Sequence, residues 1–159
     1  QVPDDNNQIF QLLLLKQQSC LMENRKNPFE NSEFTTILVV SDMQKSKSFY
    51  LDVLGAELFR EYGGNSVVLN FLGNWILLVT SGDPTEDKPN TQFVPPQNPG
   101  KVSHSFTLRV KDCRKSYEIL KERGAEFMTP PHDWGAEVRC FFRDPDSHLF
   151  EISEYKPVD

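Results

Sequence analysis

The chain has 159 residues, 38% of them hydrophobic, and a formal net charge of −6. This length and apolar fraction suffice for one domain with its own core. The acidic balance, without a run of Lys and Arg interleaved with aromatic residues, argues against nucleic acid as a partner.

Residues 1–32 are rich in Gln and Asn and predict an N-terminal extension. Met22 could be the natural start, which would make residues 1–21 a leader or foreign segment; otherwise Gln8–Gln18 would form a short amphipathic helix. The apolar stretch Ile9–Leu15 is too short to span a bilayer and lacks the features of a signal peptide. We therefore expect no membrane association and a cytoplasmic protein.

The cysteines point to the same compartment. Cys20, Cys113 and Cys140 are odd in number, widely spaced and form no CxxC pair. This argues against a disulfide framework and against a zinc knuckle.

The predicted elements fall into two similar series, at 33–82 and 101–155. Each begins with a strand of alternating apolar residues, continues with one helix and ends with three strands joined by tight turns. In chain order we predict strand Thr35–Val40, helix Met43–Leu54, strands Ala56–Tyr62, Ser66–Phe71 and Trp75–Thr80, then strand Ser105–Val110, helix Cys113–Arg123, and strands Ala125–Met128, Glu137–Arg143 and Leu149–Glu154.

An internal repeat supports this division. The segment 40–42 (Val-Ser-Asp) matches 110–112 (Val-Lys-Asp), and 55–57 (Gly-Ala-Glu) matches 124–126 with one gap. Asp42 and Asp112 are the predicted N-caps, and Gly55 and Gly124 the predicted helix ends. The chain thus contains one βαβββ unit twice.

A Pro-rich segment, 83–100, separates the two units and predicts an extended linker. Its length allows the units to pair within one chain or between two chains.

Side chains alternate across a strand, so one face of each sheet is available to line a pocket. Aromatic, aliphatic and a few polar groups share that face, as is typical of a ligand site. The loop residues His132 and Trp134 would form either a lid or ordinary surface. The candidate ligand-binding residues are Thr35, Asn70, Trp75, Leu77, Ser105, Thr107, Arg109, His132, Trp134, Arg139 and Phe141.

Two segments, 37–55 (ILVVSDMQKSKSFYLDVLG) and 144–151 (DPDSHLFE), resemble the first and last motifs of the vicinal oxygen chelate superfamily of glyoxalases, bleomycin-resistance proteins and extradiol dioxygenases. The resemblance covers about 34–155. It implies an α+β fold of two βαβββ modules forming a cupped mixed sheet. It also implies a homodimer and, in many members, a divalent metal held by the first and last strands of each module.

Those four metal-ligand positions fall on Thr35, Leu77, Ser105 and Glu151. Only Glu151 has the chemistry of a metal ligand, because a hydroxyl or a Leu cannot hold an ion that needs three or four N or O donors. His104 could replace Ser105 if a β-bulge near Ser103 turned it inward; otherwise it is a hydrogen-bonded histidine at the start of the strand. His148 is interpreted as a turn residue that holds the last hairpin.

Glu151 itself has two interpretations. It could be paired with Arg139 or Arg109, since an unpaired buried carboxylate is costly. Without such a partner it could act as a general acid or base, the tentative catalytic residue.

The leading functional hypothesis is a small-molecule-binding protein of the bleomycin-resistance kind with an incomplete metal site and no cofactor. The alternative is an enzyme, either a metal-dependent lyase or isomerase of the glyoxalase type or a dioxygenase-like protein, using Glu151 and His104. A third hypothesis, an interaction module that uses the cupped sheet as a scaffold, would leave the aromatic residues and arginines of the pocket without a ligand.

Overall fold

The computed structural model describes residues 28–156. The chain divides after Glu33, and the unit that begins at Phe34 carries every helix and strand given below. The predicted helix Gln8–Gln18 and the start at Met22 lie outside the described residues.

The first half of this unit forms a four-stranded mixed sheet. Its order is β1-β4-β3-β2, in which β1 and β4 are parallel and the other pairs antiparallel. The helix packs on one face of this sheet, over β3 and β4. The elements are β1 (Thr35–Val40), α1 (Met43–Ser48) with a π-helical continuation (Phe49–Val53), β2 (Glu57–Tyr62), β3 (Ser66–Phe71) and β4 (Asn74–Thr80).

The second half repeats this arrangement with the order β5-β9-β8-β6. A short strand that we did not predict, β7, also pairs with β8 and turns the predicted loop around His132 into sheet. The elements are β5 (Phe106–Arg109), α2 (Cys113–Glu122), β6 (Glu126–Phe127), β7 (His132–Asp133), β8 (Glu137–Arg143) and β9 (Leu149–Tyr155). The predicted α+β fold of two βαβββ units is confirmed.

Both predicted helix starts are confirmed. The Asp42 carboxylate accepts from the Lys45 N–H at 3.0 Å, and the Asp112 carboxylate accepts from the Lys115 N–H at 2.8 Å. Each therefore satisfies one of the free donors of the first helical turn. Gly55 and Gly124 follow the helices with φ of +75° and +102°, the left-handed conformation that favours glycine.

Two local predictions need correction. The helix predicted over Met43–Leu54 widens after Ser48, where the Leu54 N–H donates to the Phe49 carbonyl five residues back. The turn before β4 has Leu72 and Gly73 at its centre, with φ of +52° and +77°, because Phe71 pairs with Asn74. The strand predicted from Trp75 therefore begins one residue earlier, at Asn74.

A single core joins the two halves. On α1 and its continuation, the Tyr50 ring lies 6.2 Å from the Phe150 ring, and the Phe49 ring 6.5 Å from the Phe142 ring. Phe142 and Phe150 belong to the helix-facing side of the second sheet and are fully or almost fully buried. The first helix thus packs on the second sheet. The opposite faces of β1, β3, β5 and β8 carry half-buried or exposed side chains, whereas Glu151 and Ser153 on β9 are buried.

Cys113 and Cys140 are free thiols inside this core. Burial raises the pKa of Cys113 and raises that of Cys140 to about 12. Thiols protonated to this extent are poor nucleophiles and poor metal ligands. Among residues 28–156, no helix is both long and apolar enough to cross a membrane.

Candidate functional site

A buried acidic turn joins the two halves at the start of β9. Asp146 accepts hydrogen bonds from the Ser41 N–H at 2.7 Å, the Ser41 hydroxyl at 2.6 Å and the Ser46 hydroxyl at 2.7 Å. The sequence does not predict these partners of Asp146, because Ser41, just after β1, and Ser46, on α1, are 105 and 100 residues away in the chain. Charge-assisted hydrogen bonds of this kind fix the relative position of the elements they connect.

The second carboxylate of this turn, Asp144, binds a tyrosine and a histidine. Its Oδ2 accepts from the Tyr50 hydroxyl at 2.7 Å and lies 2.8 Å from His148 Nδ1, and its Oδ1 accepts the Asp146 and His148 N–H groups. Burial, and then the charge of Asp144, raises the pKa of Tyr50 well above its usual value. His148 holds the turn, as predicted.

The open face of the second sheet carries a row of polar side chains across four strands. Arg109 is in register with Ser153, Ser153 with Arg139, and Arg139 with His132. The Arg139 guanidinium lies 5.6 Å from the centre of the Trp134 ring and 5.8 Å from that of Phe141. The sheet therefore brings together four of the predicted ligand-binding residues, and a fifth, Trp134, lies beside them. The four are Arg109, His132, Arg139 and Phe141.

Glu137 occupies the centre of this cluster. It pairs with Arg109 at 2.7 Å and with Arg139 at 3.3 Å, and it also accepts from the Ser153 hydroxyl. The Ser153 hydrogen bond, and then that from Arg109, lowers the pKa of Glu137. Of the two interpretations of Glu151, pairing with Arg109 or Arg139 is not what the structure has: both arginines pair with Glu137. Both are in register with Ser153, two residues beyond Glu151 on β9.

Glu151 lies on the same face, in register with Thr107 on one side and Phe141 on the other. Only 8% of the residue is exposed. Within residues 28–156 its carboxylate has no hydrogen-bonding or ionic partner. Every fully buried side-chain oxygen or nitrogen in that range does have a partner, so the Glu151 oxygens must reach open space.

The residues at the four family positions do not fit a divalent metal. Thr35 is opposite Trp75, and Leu77 opposite Ile37, both in the first sheet. Ser105 precedes β5 and Glu151 is in β9. No group of three or more His, Cys, Asp or Glu side chains within the described part of the chain could hold an ion. One carboxylate with two hydroxyls and a Leu lacks the donors that such an ion needs.

The open face of the first sheet is less polar. Thr35, Trp75 and Asn70 form one row across β1, β4 and β3, and Leu77 lies in the next. The Trp75 ring packs at 5.0 Å against Phe59 of β2. A cavity of about 320 Å³ is lined by Trp75 together with Ser105 and Thr107, so it connects this sheet with the start of β5.

The two uncertain loop sites lie at the surface. His104 is exposed, with its ring edge against Phe106 and its Nδ1 at 3.4 Å from the Ser103 hydroxyl. The rings of His132 and Trp134 are 4.3 Å apart, and Trp134 is 63% exposed. Their part in ligand binding stays a prediction.

Comparison with known proteins agrees with this architecture. The family model described as Glyoxalase/Bleomycin resistance protein/Dioxygenase superfamily matches residues 34–152. An uncharacterized protein, YraH of Bacillus subtilis (strain 168), is 30% identical over 128 residues, covering 72% of this chain and 91% of that protein. The glutathione transferase FosA of Serratia marcescens is 30% identical over 115 residues, covering 72% of this chain and 74% of its own.

Solved structures share the fold. The fosfomycin resistance protein FosX of Listeria monocytogenes, in complex with Mn(II) and 1S,2S-dihydroxypropylphosphonic acid, superposes with a TM-score of 0.58 at 21% identity, over 77% of this chain and 88% of its own. A glyoxalase/bleomycin resistance protein/dioxygenase from Alicyclobacillus acidocaldarius gives 0.57 at 22% identity, over 83% and 96%.

Proposed function

Because the chain belongs to the glyoxalase/bleomycin resistance protein/dioxygenase superfamily, we propose that it binds a small organic molecule without a resident divalent metal. The ligand lies on the open face of the second sheet, beside Glu151, Arg139 and Trp134. Named relatives such as FosA and FosX are also proteins of small-molecule chemistry. A cytoplasmic location is part of the same proposal.

Glu151 is the observation that carries this proposal. Glu151 is only 8% exposed, yet its carboxylate has no partner within residues 28–156 and its oxygens reach open space, so it is available to accept a hydrogen bond from a ligand. The guanidinium of Arg139, which lies near the Trp134 and Phe141 rings and pairs with Glu137, offers a flat cationic surface close by. The face thus supplies one acceptor and one cation to a ligand with an aromatic or other apolar body.

We extend the proposal to a homodimer. Within one chain, α1 packs against the helix-facing side of the second sheet, and the open faces remain half-exposed. A second copy would cover these faces and enclose a ligand. Size-exclusion chromatography with light scattering at micromolar concentration should give twice the chain mass, and a monomer would contradict this part.

The absence of a resident metal is tested directly by elemental analysis. The purified chain is incubated with Mn(II), Ni(II) or Zn(II), passed through gel filtration and measured for bound metal. We expect far less than one ion per chain, because Glu151 alone cannot hold one against exchange. About one ion per chain would overturn the proposal.

Binding at the second sheet is tested with 1-anilinonaphthalene-8-sulfonate, an aromatic anion whose fluorescence rises on binding. Arg139→Gln should weaken binding of this dye about tenfold, because the variant loses one cation–π contact and the positive charge that makes it. Arg60→Gln is the matched control, since Arg60 also stacks on two rings, Phe59 and Tyr62, but lies on β2. Equal loss in both variants would exclude the second sheet as the specific site.

A second candidate function, catalysis by Glu151, rests on the same unpartnered carboxylate. Its test is turnover of fosfomycin with glutathione, which the names of FosX and FosA suggest. Glu151→Gln should abolish any activity while leaving the unfolding transition cooperative. Activity that survives this substitution would remove Glu151 from the reaction.

A further inference from the structure

A separate cavity of about 470 Å³ lies beneath the linker. Its walls come from β1, from residues 94–98 of the linker, from residues 101–104 at the start of the second unit and from the turn into β9. Apolar side chains form most of the lining, among them Ile37, Val39, Val94 and Leu149. Its volume is in the range of ordinary small-molecule sites.

One buried polar group borders this cavity, the imidazole of His148. Only 5% of His148 is exposed. Its Nδ1 lies 2.8 Å from Asp144 Oδ2, which already accepts the Tyr50 hydroxyl. Because a carboxylate oxygen in this position accepts, Nδ1 must carry the hydrogen, so in the neutral ring the lone pair is on Nε2.

Nothing in the described residues binds Nε2. Each fully buried side-chain nitrogen or oxygen within 28–156 has a hydrogen-bond partner. Nε2 has none there, so it must reach open space, and the cavity beneath the linker is the space that His148 lines. A carboxylate that orients a histidine and leaves its second nitrogen free is an arrangement that serves proton exchange with a ligand.

The remaining polar side chains of the cavity do not share these properties. His104 and Lys101 line it from the exposed segment before β5, where His104 contacts the Ser103 hydroxyl, at 3.4 Å, and the Phe106 ring. Neither is held by a buried carboxylate. Lys101 adds a positive charge without fixing the position of a ligand.

We propose that this cavity is a second ligand site, for an amphipathic weak acid such as an aromatic carboxylic acid or a phenol. The acidic group shares its proton with His148 Nε2, and the apolar body lies against Ile37, Val39 and Leu149. The site rests on an observation separate from the proposed function, since it uses neither Glu151 nor Arg139; Leu149 shares its face of β9 with Glu151, two residues away.

The first test is NMR of ¹⁵N-labelled full-length chain, which holds three histidines. The His148 ring, assigned with His148→Gln, should show the Nδ1–H tautomer in the free protein. Addition of 2-naphthoate should shift Nε2 of His148, while methyl 2-naphthoate, which has no acidic group, should shift it far less. An unmoved His148, or equal shifts with acid and ester, would overturn the proposal.

The second test compares variants by titration calorimetry with 2-naphthoate. His148→Gln should weaken binding at least about tenfold, which is the value of one charge-assisted hydrogen bond. His104→Gln, in the same cavity but without a carboxylate partner, should change it less than about twofold. A reversed order would refute the role of His148.

Since His148 also holds Asp144, a third variant leaves that network intact. Val94→Trp, on the half-exposed linker, fills the cavity from the opposite wall. It should abolish 2-naphthoate binding with an unchanged unfolding midpoint. Full binding of 2-naphthoate by this variant would place the ligand elsewhere. Arg139→Gln leaves this cavity intact, so it distinguishes failure of the proposal for this cavity from failure of the proposal for the second sheet.

Discussion

Two buried carboxylates of the hairpin formed by β8 and β9 have opposite surroundings. Asp144, 5% exposed, accepts from the Tyr50 hydroxyl, the His148 ring and two backbone N–H groups. Glu151, 8% exposed, has no partner among the described residues. Both residues are less than a tenth exposed, but the Asp144 carboxylate is fully paired, whereas the Glu151 oxygens reach open space without a partner.

This difference separates structure from function within one hairpin. A fully paired buried carboxylate holds together the elements that supply its donors, here α1 and the turn before β9. An unpaired one lowers stability and is kept only where it meets something outside the chain. The comparison predicts that neutralising the two groups changes stability in opposite directions.

Asp144→Asn should give the largest effect. An amide in this place turns one acceptor into a donor that faces the Tyr50 hydroxyl or the His148 N–H. We expect a loss of about 3 kcal/mol of unfolding free energy, as for other broken buried charge networks. Urea denaturation, with the midpoint compared at constant slope, measures it.

Asp52→Asn is the control for this change, because Asp52 is an exposed aspartate on the π-helical continuation that carries Tyr50. It should alter stability by less than about 0.5 kcal/mol. If Asp144→Asn is equally neutral, the turn does not hold the two halves together and the comparison fails.

Glu151→Gln should act in the other direction. Removing an unpartnered buried charge should raise the unfolding free energy by about 1 kcal/mol. The same denaturation experiment measures it, and 1-anilinonaphthalene-8-sulfonate should bind the variant with altered affinity. A clear destabilisation would mean that Glu151 has a structural partner. Both carboxylates of the hairpin would then stabilise the fold.

The sequence predicted the fold because the fold depends on local signals that occur twice. Asp42 and Asp112 cap helices three residues away, and Gly55 and Gly124 end them, so both βαβββ units could be recognised without knowledge of tertiary contacts. The π-helical turn after Ser48 was missed, since it serves the packing of Tyr50 against the second sheet. Only tertiary contacts could reveal it.

The sequence predicted which face of the sheet carries the site residues, but it did not predict which of them pair with one another. Strand parity placed Arg109, Arg139 and Phe141 on one side of the sheet, and the observed register agrees. It could not tell whether the arginines meet Glu137 or Glu151, because that depends on the stagger between strands. Nor could it show that Asp144 orients His148, since the two were interpreted only as turn residues.

Substitution of Glu137 should have the smallest effect on stability. It extends the comparison to a third carboxylate, which is paired but only half-buried. Its folded-state pKa is lowered by Ser153 and Arg109, so its contribution to stability exists above the unfolded-state pKa of about 4.3 and is lost as pH falls through the folded value. Glu137→Gln should therefore unfold at lower urea than the unsubstituted chain at about pH 7, with the difference vanishing near about pH 3. A difference in stability that persists in acid would show that Glu137 acts through packing instead of charge. Glu137 would then no longer stand between Asp144 and Glu151 in this comparison of charge pairing.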